Sequence, residues 1–531
     1  MASRRVAVVL LPALLIVGAL LTVLPASAGS IRVAGVSLTW WYAIVLAPAV
    51  ATVLGPPGDV RSLLLCASPA LVVPLATQVF TAAPAAPLVA MAAVIAPRFA
   101  SLVRRPDVPA LPRPLTAGLL TAAVVLMVWA NFAIVGDVAR GVGGERWHAL
   151  ALTAPVAVAL AWLPDVRWRP RMFIASVALL AIVLVAVAVA TSVTPWRAWS
   201  RLASRPLVAF TERSPWVEPG RTLVAPTSVM LPEAQRITAT TAAIVRVVAD
   251  DGGGPAAHER LLAPGDSLAL QSGDQVLLPA GAGVRFESGR RVPGAPPSGV
   301  AWADATAHGA FGGLLVATGA ALTLVGGGAV LLAPSTATTA ASSRVAWPAL
   351  ALGIVLVAVC WGVYGADVGP DLALGAPASA AFVRLPSVAA SGVWGSTLGV
   401  LTVVAIVGLL ATAATALADR AAVAWYPDRR ATRNARALRV GVVLAAAALA
   451  LVPATPWNVL MLGFGLAAAG LGPTLVDVPA HARLVASVTG TSAIAVTAIA
   501  GSWLAPVLAE YPALVAAPLA ATAGWIVAGR S

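Results

Sequence analysis

Long apolar runs alternate with short polar breaks along almost the whole chain. A helix needs about 20 apolar residues to cross the hydrocarbon core of a bilayer. Fourteen runs approach or reach that length: 6–27, 38–55, 61–82, 84–102, 115–136, 147–164, 172–195, 309–333, 345–365, 393–418, 438–454, 457–475, 483–506 and 510–528. The runs 61–82 and 84–102 meet at Pro84, and 438–454 meets 457–475 between Pro453 and Trp457. Pro87 and Pro97 predict a kink in the fourth run. The pattern breaks once, over 196–308. Three parts follow: a first transmembrane half, 1–195; a β-rich segment, 196–308; and a second transmembrane half, 309–531. Each half holds seven runs. That odd number sets the halves in opposite orientations, as in inverted-repeat transporters, although they share no visible sequence similarity.

Composition agrees with the pattern. The 531 residues are 60% apolar and 10% charged, with a mean hydropathy of +0.91. A soluble domain is about 25% charged, so a soluble globular enzyme is excluded. A disordered chain is excluded as well, because it requires low hydrophobicity. The expected fold is an all-α polytopic membrane bundle of about 14 transmembrane helices carrying one inserted extracytoplasmic all-β domain.

The net charge of +13 comes from 34 basic residues, every one an arginine. Their placement argues for topology rather than nucleic-acid binding. With the N-terminus in the cytoplasm, 19 arginines fall in inside loops and four (Arg32, Arg140, Arg146 and Arg384) in short outside loops. This is a positive-inside distribution. It predicts a multi-pass protein of a bacterial cytoplasmic (inner) membrane, with 196–308 and the C-terminus on opposite sides. Trp40, Trp41, Trp147, Trp162, Trp168, Trp196, Trp199, Trp394 and Trp457 lie near run ends, where an aromatic belt is expected. Arg4-Arg5, the first apolar run and Ala26-Ser27-Ala28 resemble a signal peptide. The length of that run favours an uncleaved first span.

The segment 196–308 carries 11 arginines and 10 acidic residues, near neutrality. Thr222–Met230, Ile237–Ala249, Ser267–Leu270, Gln275–Leu278 and Val284–Glu287 are β-prone, with Gly and Pro turns between several of them. They predict a compact barrel or sandwich, followed by an extended linker at Pro293–Pro297. Within it, Gly273-Asp274-Gln275-Val276-Leu277-Leu278-Pro279-Ala280-Gly281 is similar to the second motif of the cupin family. The resemblance spans about a dozen residues and implies a β-hairpin turn. Val284 stands where a cupin would carry a metal-binding histidine, so the resemblance implies no metal.

Candidate chemistry is sparse. The spans hold almost no ionisable residues, which counts against proton- and ion-coupled machinery. Asn131, Thr318, Thr323 and the Ser/Thr positions of 487–497 are the polar groups nearest mid-span. Cys66 and Cys360 sit in apolar runs and define no disulfide framework. No His/Cys spacing fits a metal, and no cofactor is expected. The outer rim gathers Arg140, Arg146, His148, His308, Asp304 and Arg384, of which Arg140, Arg146, His148 and Arg384 suit a diphosphate if they converge. Glycines recur at intervals of seven, at Gly312, Gly319 and Gly326 and at Gly463 and Gly470, on one helical face each, as close helix packing requires. Arg429, Arg430, Arg433, Arg436 and Arg439 form a basic loop suited to anionic lipid headgroups on the cytoplasmic face.

Three functions fit. The first is a non-catalytic subunit or scaffold of a larger envelope or membrane complex, with the β domain as outer docking module. The second is a transporter or lipid/polymer flippase not driven by intramembrane carboxylates. The third is a membrane enzyme acting on lipid-linked substrates at the outer face. The expected partners are the bilayer and other membrane or extracytoplasmic proteins, with no nucleic acid. A mid-span polar cavity would favour transport, and an outer groove holding Arg146, His148 and acidic groups would favour the enzyme. A glycine-rich lateral face would favour the subunit.

Overall fold

The computed structural model describes residues 2–23, 30–54, 69–83, 85–103, 111–141, 144–163, 168–211, 227–250, 255–279, 281–304, 310–328, 346–372, 374, 378–390, 392–426, 433–475, 478–504 and 506–529. The chain is mostly helical, with a separate small β region. Among the described residues, five helices are long and apolar enough to cross a membrane: Arg113–Arg140, Trp168–Thr191, Leu350–Val368, Gly392–Trp425 and Ala480–Gly501. Six shorter apolar helices accompany them: Val9–Thr22, Leu38–Ala51, Pro69–Phe80, Ala86–Ile95, Pro456–Leu471 and Ala513–Ala528. The expected runs 61–82 and 309–333 extend partly over residues outside the described set.

Helix Gly392–Trp425 has 34 residues. At about 1.5 Å per residue it is roughly 50 Å long, well beyond a hydrocarbon core of about 30 Å. It packs along helices Arg113–Gly141 and Trp168–Thr191 and anchors one side of the bundle. Helix Ala346–Val368 is central, with Val355, Ala358, Trp361 and Tyr364 buried. Helices Trp168–Thr191 and Ala480–Leu504 instead expose Ile182, Val185, Val189, Val496, Ile499 and Trp503. Exposed apolar stripes of this kind face lipid in membrane proteins. Asn131 lies mid-helix and is fully buried. Its Oδ1 accepts from Ala70 N–H at 3.0 Å, and its Nδ2 donates to Met127 O at 2.8 Å. It therefore satisfies an open amide at the start of helix Pro69–Phe80.

Besides a small hairpin, β1 (Arg32–Val33) and β2 (Val36–Ser37), the sheet region has seven strands: β3 (Thr227–Met230), β4 (Gln235–Ala239), β5 (Ala243–Asp250), β6 (Pro255–Leu262), β7 (Ser267–Leu270), β8 (Gln275–Leu278) and β9 (Val284–Phe286). They form two antiparallel sheets, β3-β8-β5-β6 and β7-β4-β9. Val229, Val245 and Val276 of the first share a core with Ile237, Leu268 and Phe286 of the second, and Phe210 stacks on Phe286 at 4.8 Å. The long run expected at Ile237–Ala249 is two strands in different sheets. The hairpin implied by the cupin-like turn is also absent. β8 pairs with β3 and β5, whereas β9 pairs with β4, so the turn through Gly281 (φ +81°) crosses between sheets.

The β region stands on two short helices, Pro195–Ala203 and Gly299–Asp304, which pack on each other. Trp302 donates to Phe80 O at 3.1 Å. Trp199 lies edge-on to Trp302 at 5.2 Å and to Trp40 at 5.6 Å. Arg205 pairs with Asp367 at 2.6 Å, and Arg32 with Asp304 at 3.0 Å. Trp40 and Trp199 were expected in an interfacial belt. They are buried instead, because they form this joint. Trp147, Trp162, Trp196 and Trp394 remain exposed.

Candidate functional site

At the end of the bundle that carries the β region, helix ends enclose a cavity of about 790 Å³. This lies within the range of roughly 300–1,000 Å³ typical of small-molecule sites. Its polar lining comes from six places in the chain. Helix Pro69–Phe80 gives Thr77 and Gln78; helix Arg113–Gly141 gives Asp137 and Arg140. Arg146 opens the next helix, Ser379 lies in a short helical turn, and Trp457, Glu510 and Tyr511 come from the last quarter of the sequence. Pro74, Ile134, Val316 and Pro453 line the apolar remainder.

One wall is rigid. Arg146 Nη2 donates to Asp137 Oδ1 at 2.9 Å, and Arg146 Nη1 donates to Val452 O at 3.1 Å. Ser379 Oγ donates to Asp137 Oδ2 at 3.1 Å. Both charged side chains are over 90% buried. Gly136 makes room for them: a Cβ there would meet Arg146 Cγ at 2.5 Å. On another wall Trp457 Nε1 donates to Glu510 Oε1 at 2.8 Å. Arg140, half-buried at the end of its helix, has no hydrogen bond or ion pair among the described residues.

Of the rim residues picked from sequence, the cavity unites Arg140 and Arg146. His148 lies outside it, exposed: its Nδ1 accepts from Glu145 N–H at 3.1 Å, closing a capping box at the helix start. Asp304 is occupied by Arg32, and Arg384 sits half-buried in helix Ala381–Ala389, away from the cavity lining. His308 lies outside the described residues. Gln78, Trp457, Glu510 and Tyr511 were not among the sequence candidates. Glu510 and Trp457 carry the one available signal, a charge and an indole at the ends of apolar runs.

The glycines mark close contacts inside the chain. A Cβ on Gly319 would stand 2.6 Å from Tyr511 Cβ, one on Gly326 3.0 Å from Ala468 Cβ, one on Gly463 2.9 Å from Met127 Cγ and one on Gly470 2.9 Å from Thr491 Oγ1. Gly312 lies in helix Ala310–Ala321.

The opposite end of the bundle corrects the basic-loop expectation. Arg439 is 2% exposed and pairs with Asp419 at 3.5 Å, and Arg169 reaches the same carboxylate at 3.6 Å. Arg439 is therefore an internal ion-pair member and unavailable to a headgroup. Arg433 is exposed and Arg436 half-buried, while Arg429 and Arg430 lie outside the described residues.

No protein-family model, curated protein or solved structure matches the chain.

Proposed function

We propose that the chain is a multi-pass protein of a bacterial cytoplasmic membrane that takes the phosphate-bearing head of an amphiphile into the cavity beside the β region. The observation that carries this reading is Arg140. It is a cation on the wall of a largely apolar cavity, with no carboxylate at ion-pair distance among the described residues; it feels the charge of Asp137 only at longer range, while the neighbouring Arg146 pairs with that carboxylate directly. A guanidinium so placed matches a phosphate group. Asp137 and Arg140 occupy the last turn of a span-length helix, which is headgroup level in a bilayer. An amphiphile fits both features: the head meets Arg140 and the chain follows the apolar wall.

This reading puts the β region on the outer face and treats the fourteen apolar runs as spans. It draws on the outer-rim class of function and leaves the chemical step open. The scaffold class has less support, because Gly319, Gly326, Gly463 and Gly470 are spent on contacts within the chain. Mid-span transport also has less, because the Asn131 side chain is consumed by Ala70 and Met127.

The test is lipid extraction from the full-length protein purified in mild detergent, wild type against Arg140→Gln. A phosphate-bearing amphiphile at constant stoichiometry in wild type, reduced about tenfold in the variant, is the expected result. Equal retention by both proteins would overturn the reading.

A further inference from the structure

Most of the donors on the cavity lining are already committed. Thr77 Oγ1 donates to Val73 O at 2.9 Å, Ser379 Oγ to Asp137 at 3.1 Å and Trp457 Nε1 to Glu510 at 2.8 Å. Arg146 gives Nη2 to Asp137 and Nη1 to Val452 O. The Arg140 guanidinium makes no hydrogen bond or ion pair among the described residues. One guanidinium offers two parallel N–H groups to one phosphate. A second phosphate in the same head would meet no other uncommitted cation on the described lining.

The charges set the same limit. The described lining carries two arginines, Arg140 and Arg146, and two carboxylates, Asp137 and Glu510. It is therefore neutral before a ligand enters. Asp137 already draws on Arg140 at longer range, and Glu510 repels any anion that comes near it. A head with one negative charge is met by one guanidinium. A further charge would enter a largely apolar space with no partner, and an unpaired buried charge is costly. A diphosphate calls for the wider set of cations expected from the sequence. His148 and Arg384 stand away from the lining, and Arg146 is paired.

We propose that the site selects its amphiphile by charge. It takes a head with a single phosphodiester, and it discriminates against phosphomonoester dianions and diphosphates. This rests on the phosphate-amphiphile reading above and adds the charge limit to it. The phosphodiester keeps one negative charge across the neutral range, whereas a phosphomonoester gains its second charge near pH 6.

The experiment is a native mass-spectrometric titration of the full-length protein in mild detergent. Three probes share the same dioleoyl chains: phosphatidylglycerol, phosphatidic acid and diacylglycerol diphosphate. At pH 8 wild type should bind phosphatidylglycerol at least about tenfold more tightly than the diphosphate. Phosphatidic acid should bind more tightly at pH 5 than at pH 8, measured against phosphatidylglycerol at each pH. Glu510→Gln removes an opposing charge and keeps an acceptor for Trp457. It should favour the diphosphate most and narrow the gap. Arg140→Gln should weaken all three probes. A diphosphate bound as tightly as phosphatidylglycerol, with Arg140→Gln still weakening both, would overturn the charge limit and leave the phosphate reading standing. A gap that Glu510→Gln leaves as wide would overturn the limit too. Binding of no probe, or binding indifferent to Arg140→Gln, would overturn both. Should Glu510→Gln fail to fold, the pH comparison on phosphatidic acid carries the test, since it uses wild type alone.

Discussion

Asp137 and Arg146 illustrate what a buried charge pair asks of an apolar helical bundle. Each is over 90% buried, and each is held by a further group, Ser379 or Val452 O. Removing one partner strands the other charge, which typically costs ~3–5 kcal/mol. Asp137→Ala should therefore lower the thermal unfolding midpoint in detergent far more than Arg433→Ala at an exposed site. Asp137→Ala combined with Arg146→Met should recover part of the loss. A single-variant midpoint close to that of Arg433→Ala would contradict the pairing. At this scale the sequence was half legible. Asp137, Arg140 and Arg146 stand out as charges at the ends of apolar runs. Gln78 and Tyr511 do not, because they reach the cavity only through the packing of distant helices, which is a tertiary property. His148 was equally prominent in the sequence, yet its ring is taken up by the backbone of Glu145 three residues away.

Among the elements, helix contacts were easier to read than strand pairing. Glycine spacing of seven marks a helical face, and Gly319 lies against Tyr511 and Leu514. The atoms nearest its missing Cβ are Tyr511 Cβ and Cγ, close to the backbone and unable to swing away. Gly319→Leu should cost ~1–3 kcal/mol by overpacking. It should also disturb the cavity, because Tyr511 lines it. Detergent stability and recovery of monodisperse protein on size exclusion check this; unchanged values would argue against a tight contact. Strands were harder. β6 escaped notice because it is an edge strand whose residues from Ala257 to Leu261 are all exposed. An edge strand without a buried face has no alternation to read. The break inside Ile237–Ala249 was hidden because Thr240 and Thr241 are themselves β-prone. The turn is held from a distance: Thr240 N donates to Gly283 O at 2.8 Å, and Gly283 N donates to Thr241 Oγ1 at 2.7 Å.

Across the whole molecule, polar contacts gather at two ends of an apolar bundle. Arg32–Asp304, Arg205–Asp367 and Asp137–Arg146 lie at the end that carries the β region. Arg169, Asp419 and Arg439 lie at the other, together with Arg113, which donates to Trp425 O at 2.6 Å. The charge asymmetry of the loops anticipates this division, because arginines expected on one side meet one another's neighbours in space. What the pattern could not supply is the joint between β region and bundle. Trp40, Trp199 and Trp302 are far apart in sequence, and their edge-on contacts exist only after folding. This joint brings the β region to the end where the cavity opens, so an occupant of the cavity would lie near its foot.

The cavity is proposed to hold the phosphate of an amphiphile beside Arg140. The most direct measurement is site-specific photocrosslinking from Thr455, an exposed residue on the cavity lining. The residue is replaced by p-benzoylphenylalanine in the full-length protein, which is irradiated in its native membrane and weighed by mass spectrometry. The expected product is an adduct with the mass of a phosphate-bearing amphiphile, lost when Arg140→Gln is introduced. No lipid adduct, or an adduct of equal yield with and without Arg140, would contradict it.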